Sequence, residues 1–363
     1  MPAPSSGPTS PSLSDVNQIG RKALKWGIIF LVGYMVLKML LGAFVSFWKA
    51  THPEPPPPPT VGFGRLPAIE FPAGAKRPNS YKLETATGRF PQFPDRAKVF
   101  ALELSTPNLL ADEAVRKIAA RYDFVFEPEV LNADTYRWTR SQPLETTFEI
   151  DLQTKNFALT TDYLTRPELI SNQEVPDKYE VVNRVKSYLS QTNLLPPEVA
   201  TNSADVTYLK AVGGELVEAA SLSDANFMQV DLQRYPVDGT YRMYTPEGYQ
   251  GIISAVVTGA LSSSNSIVEL QYNYQPKDKF SSMETYPLRS VKDAWRELTG
   301  GGGYIVPAEA DYQELGEAII RNVHLGYYDS FKEQPYLQPI YVFLGDDGLI
   351  GYVSAVDPSF VAE

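Results

Sequence analysis

Two histidines, His52 and His324, and no cysteine bound the chemistry open to this 363-residue chain. A thiolate nucleophile, a disulfide and a Cys/His or multi-histidine metal site are excluded. A Ser-His-Asp triad would depend on His324, and no Gly-x-Ser-x-Gly elbow supplies its serine. His324 sits in the run VHLGYY, where a strand-surface or hydrogen-bonded histidine is the simpler reading. Carboxylates abound, so neither Glu149/Asp151 nor Glu215/Glu218 can be singled out as an acid and base pair. A carboxylate hydrolase would need two such groups roughly 5–9 Å apart in a deep pocket. Gly300 to Gly303 follow a helical pattern and lack a Gly-Lys-Ser/Thr ending, so they read as a helix stop and loop, not a phosphate cradle. Asp346-Asp347-Gly348 reads as a hairpin turn, since the ligand series of a calcium loop is missing. These residues imply no catalytic site, no metal and no cofactor.

Tyrosine is the remaining candidate. Of 22 tyrosines, Tyr327, Tyr328, Tyr336, Tyr341 and Tyr352 cluster towards the C-terminus. Tyr327, Tyr328, Tyr336 and Tyr341 are candidates for a peptide- or glycan-binding surface. Packing within antiparallel strands accounts for the same residues and is the simpler explanation.

One element must position everything else. From Trp26 to Trp48 the chain reads WGIIFLVGYMVLKMLLGAFVSFW. At about 1.5 Å per residue a helix there spans roughly 34 Å, enough for a hydrocarbon core of about 30 Å. Indole rings at both ends suit the two interfaces. Lys38, near the middle, costs about 2.5–3.5 kcal/mol. The Ile, Leu, Val and Phe residues of the run each return about 0.3–0.6 kcal/mol, so insertion is favoured. Arg21, Lys22 and Lys25 precede the span, which predicts a cytoplasmic N-terminus and an extracytoplasmic body. A cleaved signal peptide fits less well. The apolar run is too long, and the near-site ending at Ala50 has Trp48 where a small residue is needed. Lys38 either contacts an acidic group of a partner helix or is simply tolerated, and toleration is the plainer reading. Gly42 and Ser46 form a small-xxx-small pair. Lys38, Gly42 and Ser46 are thus the candidate contacts with another membrane protein.

Charge is split along the chain. Residues 1–50 carry five basic residues against Asp15, a net of +4, so the remainder holds −15 of the total −11. So acidic a body does not suit nucleic acid or an anionic surface. The pattern divides into a disordered tail (1–20), a transmembrane anchor (21–50) and a Pro-rich linker (51–80) in which Pro53 and Pro55 to Pro59 form a stiff polyproline rod. Three α+β units follow, over 81–175, 176–287 and 288–363. The first opens with a helix from Thr106-Pro107, then the runs TYRWTR, TTFEIDL and NFALTTDY as an antiparallel meander. The second opens with a helix over 177–191 and continues through VTYLKAV, FMQVDLQRY, TYRMY, GIISAVVTGAL and SIVELQYNY, the last a candidate free edge. The third has a helix over 291–299 and strands in NVHLGYYDS, LQPIYVFLG and IGYVSAVD. The expected class is α+β, with one transmembrane helix and a body of recurring helix-plus-antiparallel-sheet units.

Within the third unit, SVKDAWRELTGGGGYIV, VHLGYYDS and YLQPIYVFLGDDGLIGYVSAVD resemble the last part of the YycH/YycI-type membrane-anchored regulators, with PepSY-like units. The likeness spans residues 288–357. It implies a bacterial envelope protein that associates with a membrane sensor kinase, and it carries over no catalytic residue. The expected function is a non-enzymatic, membrane-tethered binding or regulatory module. The alternative is a structural single-span subunit of a division, secretion or pilus assembly. Protease added to sealed cells should degrade the bulk of the chain, and deletion of residues 26–48 should release it from the membrane fraction. A body that stays protected in sealed cells refutes the orientation.

Overall fold

A computed structural model describes residues 13–51, 58–74, 76–171, 175–261, 265–278, 283–307 and 316–362. Of the disordered tail expected over 1–20, residues 1–12 lie outside the described residues, as do His52 and the prolines through residue 57, whereas residues 13–20 are helical, continuous with the apolar stretch that follows. Two compact units divide at Pro58/Pro59. The first contains one helix, α1 (Leu13–Thr51). Its stretch Gly20–Trp48 is long and apolar enough to cross a membrane, a property shared by anchors and signal peptides. Lys38, Gly42 and Ser46 recur every four residues and so share one face. All three are exposed.

The second unit begins with β1 (Ser80–Leu83), β2 (Arg96–Ala101) and α2 (Ala111–Arg121), then β3 (Glu129–Asn132), β4 (Thr135–Arg140), β5 (Thr146–Asp151) and β6 (Phe157–Thr161). After the short α3 (Pro167–Ile170) come α4 (Lys178–Ser190), α5 (Pro197–Ala200), β7 (Asp205–Val212), β8 (Glu215–Glu218), β9 (Phe227–Leu232) and β10 (Met243–Tyr244). The chain continues through β11 (Ile253–Thr258), β12 (Ile267–Tyr272), β13 (Glu284–Pro287), α6 (Val291–Thr299), β14 (Tyr304–Ile305), β15 (Glu317–Tyr328), β16 (Tyr336–Gly345) and β17 (Ile350–Ser354).

These strands form two sheets, so the class is α+β. A nine-stranded sheet runs β3-β4-β5-β6-β12-β11-β9-β7-β8. The strands expected to form two successive units at 81–175 and 176–287 therefore largely share one sheet, joined where β6 pairs β12 antiparallel. Both α2 and α4 cover the same face of it. Val115 and Ile118 of one helix and Val181, Val185 and Leu189 of the other pack on Phe148, Ile150, Val230 and Leu270. The helices start as local chemistry dictates. The Asp177 side chain caps α4 by accepting from the Tyr179 N–H at 2.8 Å. Ser290 caps α6 in the same way through Asp293.

The second sheet is built around β1-β15-β16-β17-β14, with β2, β10 and β13 joining from its sides. Its strands come from both ends of the body: β1 pairs β15 in parallel, and β2 bridges β13 and β16. The stretch expected to close as a separate unit at 288–363 thus depends on β1, β2 and β10. Parallel partners over 230 residues apart leave no local trace in sequence.

The glycine run ends α6, as its composition implies. Gly303 has φ +66°, and a Cβ there would lie 2.3 Å from the Tyr352 carbonyl oxygen. Gly213 has a similar φ but open space around it. Gly303→Ala should therefore cost about 3 kcal/mol and Gly213→Ala about 1 kcal/mol in urea unfolding. Equal losses would show that the close approach to β17 does not matter.

Candidate functional site

The concave feature that stands out lies where the chain crosses between the two sheets. It is a cavity of about 860 Å³ walled by residues 103–111, the β5–β6 turn at 152–156, the stretch 272–276 leaving β12, and Lys332 and Glu333 between β15 and β16. Ligand cavities favour such seams between packed bodies.

The segment before α2 explains the apolar wall. Pro107 and the following leucines predict an early helix start. Instead Asn108 captures the Leu110 N–H through Oδ1 at 2.9 Å, and α2 begins at Ala111. Such a side chain competes with the helix for the backbone. The leucines are consequently left out of the core: Leu104 is 49% exposed, Leu110 64%, and Leu109 fully so. Three exposed leucines within seven residues form a patch, and covering each returns about 1.5–3 kcal/mol.

The β5–β6 turn supplies polar groups. Asp151 Oδ1 accepts from the Gln153 and Thr154 N–H groups at 2.9 and 2.7 Å, and Lys155 takes φ +63°. The turn is thereby fixed. Among the described residues, Gln153 Oε1 and Asn156 Oδ1 are buried with no hydrogen-bond donor.

Behind the cavity lies a buried ionic node. Arg234, two residues past β9, has a side chain with no exposure. Its Nε donates to Asp329 Oδ2 at 2.7 Å, Nη1 to Glu198 Oε1 at 2.6 Å, and Nη2 to the Gln275 carbonyl at 2.5 Å. Its guanidinium also stacks on the Tyr274 ring at 4.5 Å. Glu198 accepts further from the Tyr274 hydroxyl at 2.9 Å and from Lys277 at 2.7 Å. Burial pushes the Asp329 carboxyl up against the pull of Arg234. Burial acts on Glu198 in the same sense, but Arg234 and Lys277 together hold it below its usual range. Asp329 ends β15 in one sheet and Arg234 leaves β9 in the other, so the node joins the sheets. Tyr274 and Gln275 belong to both node and cavity wall.

The tyrosine candidates are not a surface. Tyr327, Tyr328 and Tyr341 are each at most 2% exposed, and Tyr336 is half-buried against Phe63. Strand β16 pairs on both edges and is covered on both faces. Tyrosines of either parity around it are therefore buried. The hydroxyl of Tyr327 donates to the Lys98 carbonyl at 2.8 Å and that of Tyr341 to the Arg289 carbonyl at 2.7 Å. Burial pushes Tyr341 up to about 12.

The other sequence candidates scatter. His324 lies on the exposed face of β15, where partial desolvation by its neighbours lowers its pKa. Glu149 pairs with Arg137 at 2.7 Å, Asp151 holds its turn, and Glu215 and Glu218 are exposed on β8. The expected free edge at SIVELQYNY is interior, since β12 lies between β6 and β11. Among the described residues no group of three or more His, Cys, Asp or Glu is placed to hold a metal. A second hollow, at the start of α6, has its charges paired internally: Arg289 with Glu297 at 2.5 Å and Arg296 with Asp293.

Neither protein-family models nor curated proteins give a match to the chain. Among solved structures, an uncharacterized protein from Eubacterium rectale ATCC 33656 is similar over 71% of this chain and 82% of its own, at 11% identity and a TM-score of 0.37. That likeness is too distant to bear on the site.

Removing one member of the node should be costly, because it strands a buried charge. Asp329→Ala should lower urea stability by about 3–5 kcal/mol, and Arg234→Met with Asp329→Leu should cost less than Asp329→Ala alone. The Glu198 contribution should be full at neutral pH and fall away as the pH drops through the usual carboxylate range towards its lowered folded value. A single-variant loss below about 1 kcal/mol would rule the node out as the joint between the sheets.

Proposed function

We propose that this chain is a non-enzymatic, membrane-tethered binding module of the bacterial envelope. Its folded body is extracytoplasmic, and it regulates another membrane protein such as a sensor kinase. The observation that carries this reading is the seam cavity. It presents leucines and the partly exposed Gln153 and Asn156 side chains to solvent, while the strongest charges near it are consumed by one another in the Arg234 node. That arrangement suits recognition better than proton transfer.

The helix supports a second point of contact. Lys38 lies ten residues before Trp48 and twelve after Trp26, about 15 and 18 Å along the axis. Both distances exceed the reach of a lysine stem. Sliding the helix to free Lys38 would bury Lys25 instead. A carboxylate on a neighbouring membrane helix satisfies the ammonium without either penalty. Gly42 and Ser46 on the same face allow that helix to approach closely.

The alternative, a structural single-span subunit of an envelope assembly, draws on β3. That strand is the edge of the nine-stranded sheet and is exposed throughout, with Val130 63% accessible. A register shift between Val130 and Asn132 blunts the edge, which weakens strand addition there.

Lys38→Leu should leave the protein in the membrane fraction and sharply reduce recovery of its membrane partner in mild detergent. Association that survives loss of residues 26–48 refutes the helix-mediated contact. Loss of association in Val130→Lys, with Lys38→Leu unaffected, favours the structural alternative.

A further inference from the structure

We propose that the seam cavity binds an extended polypeptide segment bearing apolar side chains. This deepens the reading of the body as a binding module and rests on it. Three features of the cavity bear on the ligand.

The first is the wall. Leu104, Leu109 and Leu110 are exposed along it, and Leu194 lies within it. A ligand must bring apolar groups to match, which disfavours a purely polar one. The second is hydrogen bonding. Gln153 and Asn156 are partly exposed on a turn fixed by Asp151, while their side-chain oxygens are buried away from the cavity, so the part of each amide left to a ligand is its nitrogen. An amide N–H donates. A peptide backbone presents a carbonyl acceptor at every residue, so an extended segment can meet both. The third is what the tyrosines cannot do. Tyr272 is stacked on Phe157 at 5.1 Å with 10° between the planes, and the ring of Tyr274 carries the Arg234 guanidinium. Rings already stacked in this way are poor platforms for a sugar, which leaves polypeptide ahead of glycan.

Charge agrees with this assignment. The rim holds Lys155 and Lys332 against Glu103 and Glu333, a balance without net sign. Glu333 is also engaged, its Oε1 accepting from the Ser105 N–H at 2.5 Å. Complementarity therefore selects a segment of little net charge, not a strongly acidic or basic one.

The test uses the full chain in detergent and fluorescence anisotropy with labelled octapeptides that alternate serine with leucine, valine or phenylalanine. At least one should bind saturably. N-methylation of its central peptide bonds should weaken binding at least tenfold, as should Leu109→Glu. Leu222→Glu, at an exposed leucine outside the cavity, should change nothing, and a Ser/Gly octapeptide should not bind. Chitotetraose should neither bind nor compete. The inference is overturned if no octapeptide binds, if N-methylation or Leu109→Glu has no effect, if chitotetraose binds instead, or if sedimentation shows that a second copy of the chain fills the cavity. Should the peptides fail while Leu109→Glu still removes the membrane partner, the ligand class is wrong and the binding module stands. Should both fail, the module reading falls with it.

Discussion

A guanidinium stays charged even when sealed away from water, so it must find acceptors for that charge, and Arg234 is the residue on which that constraint falls. It finds Asp329 from one sheet and Glu198 from the short helix beside the other, with the Gln275 carbonyl as a further acceptor. The hydrophobic clusters divide around it. One set lines the helix-covered face of the nine-stranded sheet, and others surround β15–β17. Apolar packing is indifferent to small shifts, whereas a forked ion pair accepts few geometries. The node therefore fixes how the sheets meet more than it adds net stability, because desolvation offsets much of its Coulombic gain.

The cavity inherits that definition. Tyr274 is part of its wall and also bonds Glu198 under the guanidinium, so the wall has little freedom of its own. The opposite wall is different in kind. Residues 104–110 carry leucines that have no core to join, because Asn108 delays the helix. A rigid polar back and an apolar front in one cavity is the arrangement expected of a recognition site.

How much of this was legible in sequence depended on range. The helix over 291–299 coincides with α6 because Ser290 caps it and Gly300 stops it, both within one turn of the element. The run TYRWTR coincides with β4, and the helix expected over 177–191 matches α4 within one residue at each end. Alternation and capping are local, and local rules found them. The partition into three units did not carry over to the sheets, because β6 with β12 and β1 with β15 pair across more than a hundred residues. Tyr327, Tyr328 and Tyr341 were ambiguous for a related reason. A strand covered on both faces gives no alternation to say which side is wet. Arg234 and Asp329 carried no signal at all, since either would be ordinary on a surface.

The interleaving of early and late strands bears on synthesis. Leu66 bridges Val361, and β2 waits for β13 and β16. The nine-stranded sheet, by contrast, is complete by Tyr272. As the polypeptide emerges from the ribosome, the middle can therefore assemble first, while β1 and β2 have no strand to pair with until translation has passed residue 284. Until then their unpaired backbone edges are open to pairing elsewhere.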